Sequence, residues 1–134
     1  MTFLLDTNIV VAGLKKNPRV ATRLGELAPD QLILCAPVLA ELRFGACHSV
    51  RRQENLERLD RLASRIRVED FGPSAARWFG EIKADLRQKG IPKSDFDLAI
   101  ASVALDLGAI LVSNDQTFHD QQIGGLVVED WLSD

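Results

Sequence analysis

Short apolar runs alternate with stretches of helical period along the whole chain. Phe3-Leu4-Leu5, Leu32-Ile33-Leu34-Cys35 and Ile110-Leu111-Val112-Ser113 are too short for buried helices and almost free of polar residues. Uninterrupted apolar runs of this kind are expected of strands covered on both faces, as in a parallel sheet. Between them the period changes. Helices are expected over 9–14, from Pro18 to about Leu27 with the proline in the first turn, and from Pro37 with Val38, Leu39, Leu42 and Ala46 on one face. Residues 51–65 form a charged amphipathic helix. Residues 73–88 form another, closed by Gly90 and Pro92. A last helix is capped at Ser94 or Asp95 and stops at Gly108. Ile66-Arg67-Val68 and Leu126-Val127-Val128 complete the set as short strands. The alternation implies an α/β architecture with a parallel sheet flanked by helices. Without a linker, repeat or low-complexity stretch, the 134 residues read as one domain, 1–134.

Four acids stand at telling places in this frame. Asp6 ends the first strand and Asp115 follows the strand at 110–113, and ligands of open parallel sheets bind outside the carboxyl ends of the strands. Asp97 lies in the first turn of its helix. Glu41 has the apolar or small Val38, Leu42 and Ala46 as helical neighbours, so a carboxylate there needs a partner. Each acid also has an ordinary explanation: Asp6 and Asp97 suit helix caps, Asp115 suits a turn, and Glu41 can pair with Arg43. If all four converge they repel one another, and oxygen-only ligands suit Mg²⁺ or Mn²⁺.

Composition narrows the choices further. The net charge of −3 gives no general attraction to a polyanion, so such a substrate must be held by local basic groups or by metal. Cys35 and Cys47 lack metal-site spacing and read as reduced thiols. No signal peptide or membrane span is visible, and a cytoplasmic location is expected. Lys15, Lys16 and Arg19, shortly after Asp6, are candidate nucleic-acid contacts, as is Arg43 beside Glu41. Arg58, Arg61 and Arg65 share a helix face that reads as solvated, and His48 and His119 read as surface residues.

Taken in order, Leu-Leu-Asp-Thr-Asn, Glu-Leu-Arg-Phe-Gly, Asp-x-x-Ile-Ala and Leu-Val-Ser-Asn-Asp-x-x-Phe resemble the motifs of PIN-domain ribonucleases. More narrowly, they resemble the VapC-type toxins of bacterial and archaeal toxin–antitoxin pairs. The resemblance runs from Phe3 to Val127-Val128-Glu129-Asp130-Trp131. It implies that Asp6, Glu41, Asp97 and Asp115 are the catalytic acids, with Asp6, Asp97 and Asp115 as ligands of Mg²⁺ or Mn²⁺. Asn8 and Ser113 would line the same pocket. Asp95 would be a cap or an outer group of the pocket, since Ile100-Ala101 aligns Asp97 with the family's acid. The resemblance also implies an RNA substrate, a small antitoxin and a homodimer. A degenerate, non-catalytic PIN-like module should have lost an acid, and none is missing. A phosphoacceptor receiver would carry paired acids after its first strand and a late lysine. Here Asp6 follows Leu5 directly, and no lysine follows Lys93. A dehalogenase-like phosphatase would need an acid where Asn8 stands.

Overall fold

The computed structural model describes residues 1–133. Five parallel strands form its centre: β1 (Phe3–Leu5), β2 (Leu32–Cys35), β3 (Arg67–Glu69), β4 (Ile110–Val112) and β5 (Val128–Glu129), in the order β3-β2-β1-β4-β5. Six helices flank them: α1 (Thr7–Leu14), α2 (Pro18–Gly25), α3 (Ala36–Cys47), α4 (Arg52–Arg65), α5 (Pro73–Gln88) and α6 (Asp95–Leu107). The apolar runs of β1, β2 and β4 are buried almost throughout, with Leu4, Ile33, Leu34, Leu111 and Val112 wholly sequestered. Burial on both faces is why these strands show no polar alternation. Removing such a side chain, as in Leu4→Ala, costs on the order of 3 kcal/mol through lost transfer energy and the cavity left behind. No helix among the described residues is long and apolar enough to cross a membrane.

The element boundaries differ from the sequence reading where local hydrogen bonds outweigh periodicity. Helix α1 begins at Thr7, because the Asp6 carboxylate accepts the Thr7 amide and the Asp6 carbonyl accepts those of Ile9 and Val10. Helix α2 stops at Gly25 rather than Leu27. Ile66 terminates α4 instead of opening a strand, and β5 lies at 128–129 rather than 126–128. Short 3-10 turns at Pro29–Gln31 and Gln116–Phe118 carry no hydrophobic period and were not foreseen. At the end of α6, Gly108 adopts φ 62°, the left-handed conformation that a glycine C-cap supplies without steric cost.

The topology positions the site. From β1 the chain builds outward through β2 and β3 on one side, then returns to place β4 on the other. The strand order therefore reverses at β1 and β4, where an open parallel sheet leaves a crevice at its carboxyl edge. The Asp6 amide donates to the Val112 carbonyl at 2.9 Å, which aligns the ends of the two strands.

Candidate active site

Asp6 is the hub of this crevice. It is only 6% exposed, and both carboxylate oxygens are engaged: Oδ1 accepts the Thr7 amide at 2.8 Å and Oδ2 accepts the Ser113 hydroxyl at 2.7 Å. Burial nevertheless pushes its pKa up, and the charges of Asp97 and Asp115 add to the rise, against the opposing pull of the two hydrogen bonds. Glu41 reaches the cluster from α3, which packs against α1 and α6. Its Oε1 accepts the Thr7 hydroxyl at 2.9 Å. Desolvation raises its pKa, and the charges of Asp6 and Asp97 push in the same direction. Asp97 sits half-buried in the first turn of α6, its own amide held by the Ser94 hydroxyl at 3.2 Å. Asp115 is exposed after β4. Its amide donates to Ser113 Oγ at 3.0 Å, and its Oδ1 accepts the Thr117 amide at 3.0 Å. The wholly buried Ser113 hydroxyl thus gives its proton to Asp6 and accepts the amide of Asp115, linking two acids from different strands.

Asp6 and Asp115 thus keep the cap and turn roles that the sequence allowed, and Asp97 its place in a first helical turn, whereas Glu41 does not pair with Arg43. None forms an ion pair among the described residues, although they feel one another's charge. Mutual repulsion without a cationic partner is the electrostatic condition that a bound divalent ion relieves. The donors, carboxylate and hydroxyl oxygens, fit a hard cation. Among the described residues no three His, Cys, Asp or Glu side chains are grouped closely enough to hold an ion by themselves.

The other sequence candidates fall in different places. Asn8 donates through Nδ2 to Asn114 Oδ1 at 3.2 Å, beside the loop that carries Asp115. Asp95 is turned to Lys83 on α5, at 2.9 Å. Arg43 pairs with Asp60 on α4 at 3.0 Å rather than with Glu41. Lys15 and Lys16 are exposed past the end of α1, Lys16 with φ 60°, and Arg19 lies at the start of α2.

Two expectations need correction. Arg58 is not simply solvated: its Nη2 donates to the Leu14 carbonyl at the end of α1. His119 is half-buried, with Nε2 donating to the Ser113 carbonyl at 2.7 Å, so it braces the end of β4. Three further residues carried no sequence signal of their own: Thr7, the hydroxyl partner of Glu41; Asn114, the partner of Asn8; and Lys93. The Lys93 side chain is 3% exposed and donates to the Thr117 carbonyl and to Asp120, each at 2.6 Å. For Thr7 the Asp-Thr-Asn motif held a hint, but its partner lies 34 residues away.

Residues 3–123 match the family model of the PIN domain. The chain belongs to the PIN-domain family. Among its relatives are the "tRNA(fMet)-specific endonuclease VapC" of Shigella flexneri, 35% identical over 98% of both chains, and the "Ribonuclease VapC2" of Rickettsia felis, 36% identical with the same coverage. This PIN domain therefore falls among the VapC proteins. Its fold matches the solved VapBC2 of Rickettsia felis bound to a promoter DNA fragment, with TM-score 0.88, 34% identity and coverage of 98% and 99% of the two chains. It also matches VapBC-1 of nontypeable Haemophilus influenzae, with TM-score 0.87, 30% identity and coverage of 99% and 100%.

Proposed function

We propose that this PIN domain is a divalent-metal-dependent endoribonuclease that acts as the toxin of a toxin–antitoxin pair. The observation that carries the reading is the set of four acids at the sheet's switch point, from buried Asp6 to exposed Asp115, which feel one another's charge and have no ion-pair partner among the described residues. The VapC ribonucleases to which the chain is similar support the choice of RNA. Asp6, Asp97 and Asp115 would hold the ion, Mg²⁺ or Mn²⁺. When bound, it supplies Lewis acidity toward the phosphodiester and a water of lowered pKa. The protein supplies position. Ser113 locks Asp6 to the Asp115 loop, and Thr7 holds Glu41 Oε1 so that Oε2 is left to orient the attacking water and take its proton. The water oxygen forms a new bond to phosphorus as its proton passes to Glu41, the bond to the leaving ribose oxygen breaks, and that oxygen takes a proton from solvent water to end as a hydroxyl. Asn8 and Ser113 would line this pocket, while Asp95 is held by Lys83 on α5.

The similarity to VapBC complexes supports a small antitoxin as partner, which would neutralise the acids with an arginine or lysine. A homodimer is part of the same reading. The half-open apolar groove lined by Pro37, Ala40, Phe71, Phe79 and Phe96, with Phe96 half exposed, is the face we assign to the second copy. The test of the activity is cleavage of total cellular RNA. Wild type should cut with Mg²⁺ or Mn²⁺ and stop in EDTA, and expression without its partner should arrest growth. Cleavage that persists in EDTA, or is unchanged by Asp97→Asn, would falsify the mechanism.

A further inference from the structure

With a net charge of −3, the protein needs a local device to keep a polyanion in place. Several of its cations are already committed: Arg23 to Glu26 and Glu129, Arg43 to Asp60, Lys83 to Asp95, Lys89 to Asp85 and Lys93 to Asp120. Lys15 and Arg58 form no ion pair among the described residues, and they meet at one place. Helix α4 crosses the end of α1, and Arg58 donates to the Leu14 carbonyl, one of the last carbonyls of α1 that lack a helical partner. That bond fixes the guanidinium without neutralising it and leaves further N–H donors free. Lys15 is the next residue. Both line a groove of about 290 Å³ between α1, α3 and α4, floored by Val11, Leu42 and Leu59, whose other end is Thr7 and Glu41. One groove therefore runs from Glu41, a single member of the acid cluster, to two cations that form no ion pair among the described residues. Thr7 and Lys15 are eight residues apart on α1, roughly 12 Å along a helix axis, several times the ~3.4 Å rise per nucleotide of a stacked strand.

We propose that Lys15 and Arg58 form a second phosphate subsite, which grips the RNA backbone a few nucleotides from the scissile bond and sets the strand's path along the groove. This rests on the ribonuclease reading above. The charge arrangement favours a nucleic-acid strand over an apolar protein segment. The groove ends in positive charge at the distance a phosphate a few nucleotides along the strand reaches, and a phosphate is the ligand that a fixed guanidinium beside an ammonium best satisfies.

The test uses the uncleaving Asp97→Asn protein in Mg²⁺ buffer, with unfractionated tRNA as the probe. In that background Lys15→Ala and Arg58→Gln should each weaken binding about fivefold at moderate salt. Each should also lower the slope of log K against log salt by about 0.7–0.9, the signature of one lost phosphate contact. In the cleaving protein the same substitutions should raise KM and leave kcat at saturation unchanged. Lys89→Ala, remote and paired with Asp85, should change neither affinity nor slope. The Lys15 side chain has no hydrogen-bond or ion-pair partner among the described residues, so its variant decides the matter even if Arg58→Gln loosens the end of α1. Unaltered affinity and salt slope in Lys15→Ala would overturn the subsite. So would a loss confined to binding of a purified partner protein, which would make the groove a protein-docking surface. Either result, with wild-type cleavage intact, leaves the ribonuclease reading standing. Loss of that reading would instead appear as wild-type protein that does not cut RNA.

Discussion

Asp115 and Asp120 lie five residues apart, yet they stand in opposite electrostatic surroundings. Asp120 is met by Lys93, whose buried ammonium bonds its carboxylate and the Thr117 carbonyl and lowers the Asp120 pKa. Asp115 caps the intervening 3-10 turn with no cation, and its charge falls on Asp6, which already carries the cost of burial. The same contrast separates Glu129, held by Arg23 and the Trp131 indole, from Glu41, whose only side-chain hydrogen-bond partner among the described residues is a threonine hydroxyl. Asp120 and Glu129 are paired with cations within the fold. The carboxylates at the switch point have hydroxyl and amide partners that orient them without cancelling their charge, which leaves the cancellation to a ligand.

The contrast would break first in the reaction. Asp6→Asn and Asp97→Asn preserve size and capping capacity, so both proteins should fold while RNA cleavage falls by on the order of a hundredfold or more. Circular dichroism alongside cleavage assays separates the two effects, and a fall in activity matched by unfolding would reduce the acids to structural residues. On the paired side, Lys93→Met should destabilise the protein by about 2 kcal/mol in urea titrations. It removes a charged donor from the Thr117 carbonyl, whereas the partly exposed Asp120 can return to water. A loss near zero would mean that this pair holds nothing.

Thr7 sharpens the comparison at single-bond scale. Thr7→Val keeps the shape of the side chain but frees Glu41, and kcat should drop about tenfold, equivalent to roughly 1.4 kcal/mol. Thr7→Ser should restore most of the rate with KM little altered. If serine and valine behave alike, the hydroxyl does not position Glu41.

The smallest effect concerns pH without metal. Burial holds the folded pKa of Asp6 above its ordinary value of 3.8, so ionising it costs stability. That cost is present in full above the folded pKa and disappears as pH falls toward 3.8. In EDTA, Asp6→Asn should therefore melt slightly higher than wild type at neutral pH, and the difference should shrink on acidification. Asp120 has the opposite sign. Its pKa is depressed, so its contribution is present above 3.8 and is lost as pH falls through the lower folded value. Millimolar Mn²⁺ should raise the wild-type melting temperature by a few degrees, as binding at about ten times Kd contributes roughly 1.4 kcal/mol. Equal shifts in wild type and Asp97→Asn would remove the ion from this pocket.

Much of the frame could be read from residues in order. Strands buried on both faces must be apolar throughout, helices lying on them must show a helical period, and Pro18, Ser94 and Gly108 mark ends through backbone chemistry that acts within a few residues. The same locality made the Asp6 cap visible, and the family motifs singled out the four acids. Where a signal was weak, as at β5, two residues of strand in a mixed loop gave no period to follow, and the boundary fell to pairing with β4.

What the linear chain could not carry is which distant groups meet. Arg58 looked solvated because its helical neighbours are charged; only the crossing of α4 over α1 brings it to a carbonyl 44 residues earlier. His119, Lys93 and the Thr7–Glu41 bond are likewise made by packing between elements. Arg43 stood two residues from Glu41 and pairs instead with Asp60, since neighbours two apart on a helix do not face each other. Sequence determined the strands, the caps and the chemical types available at the sheet's edge, because those depend on local backbone geometry and on burial of whole faces. Tertiary structure alone decided which charges are cancelled and which are left for a ligand, because that balance depends on distances between residues far apart in the chain.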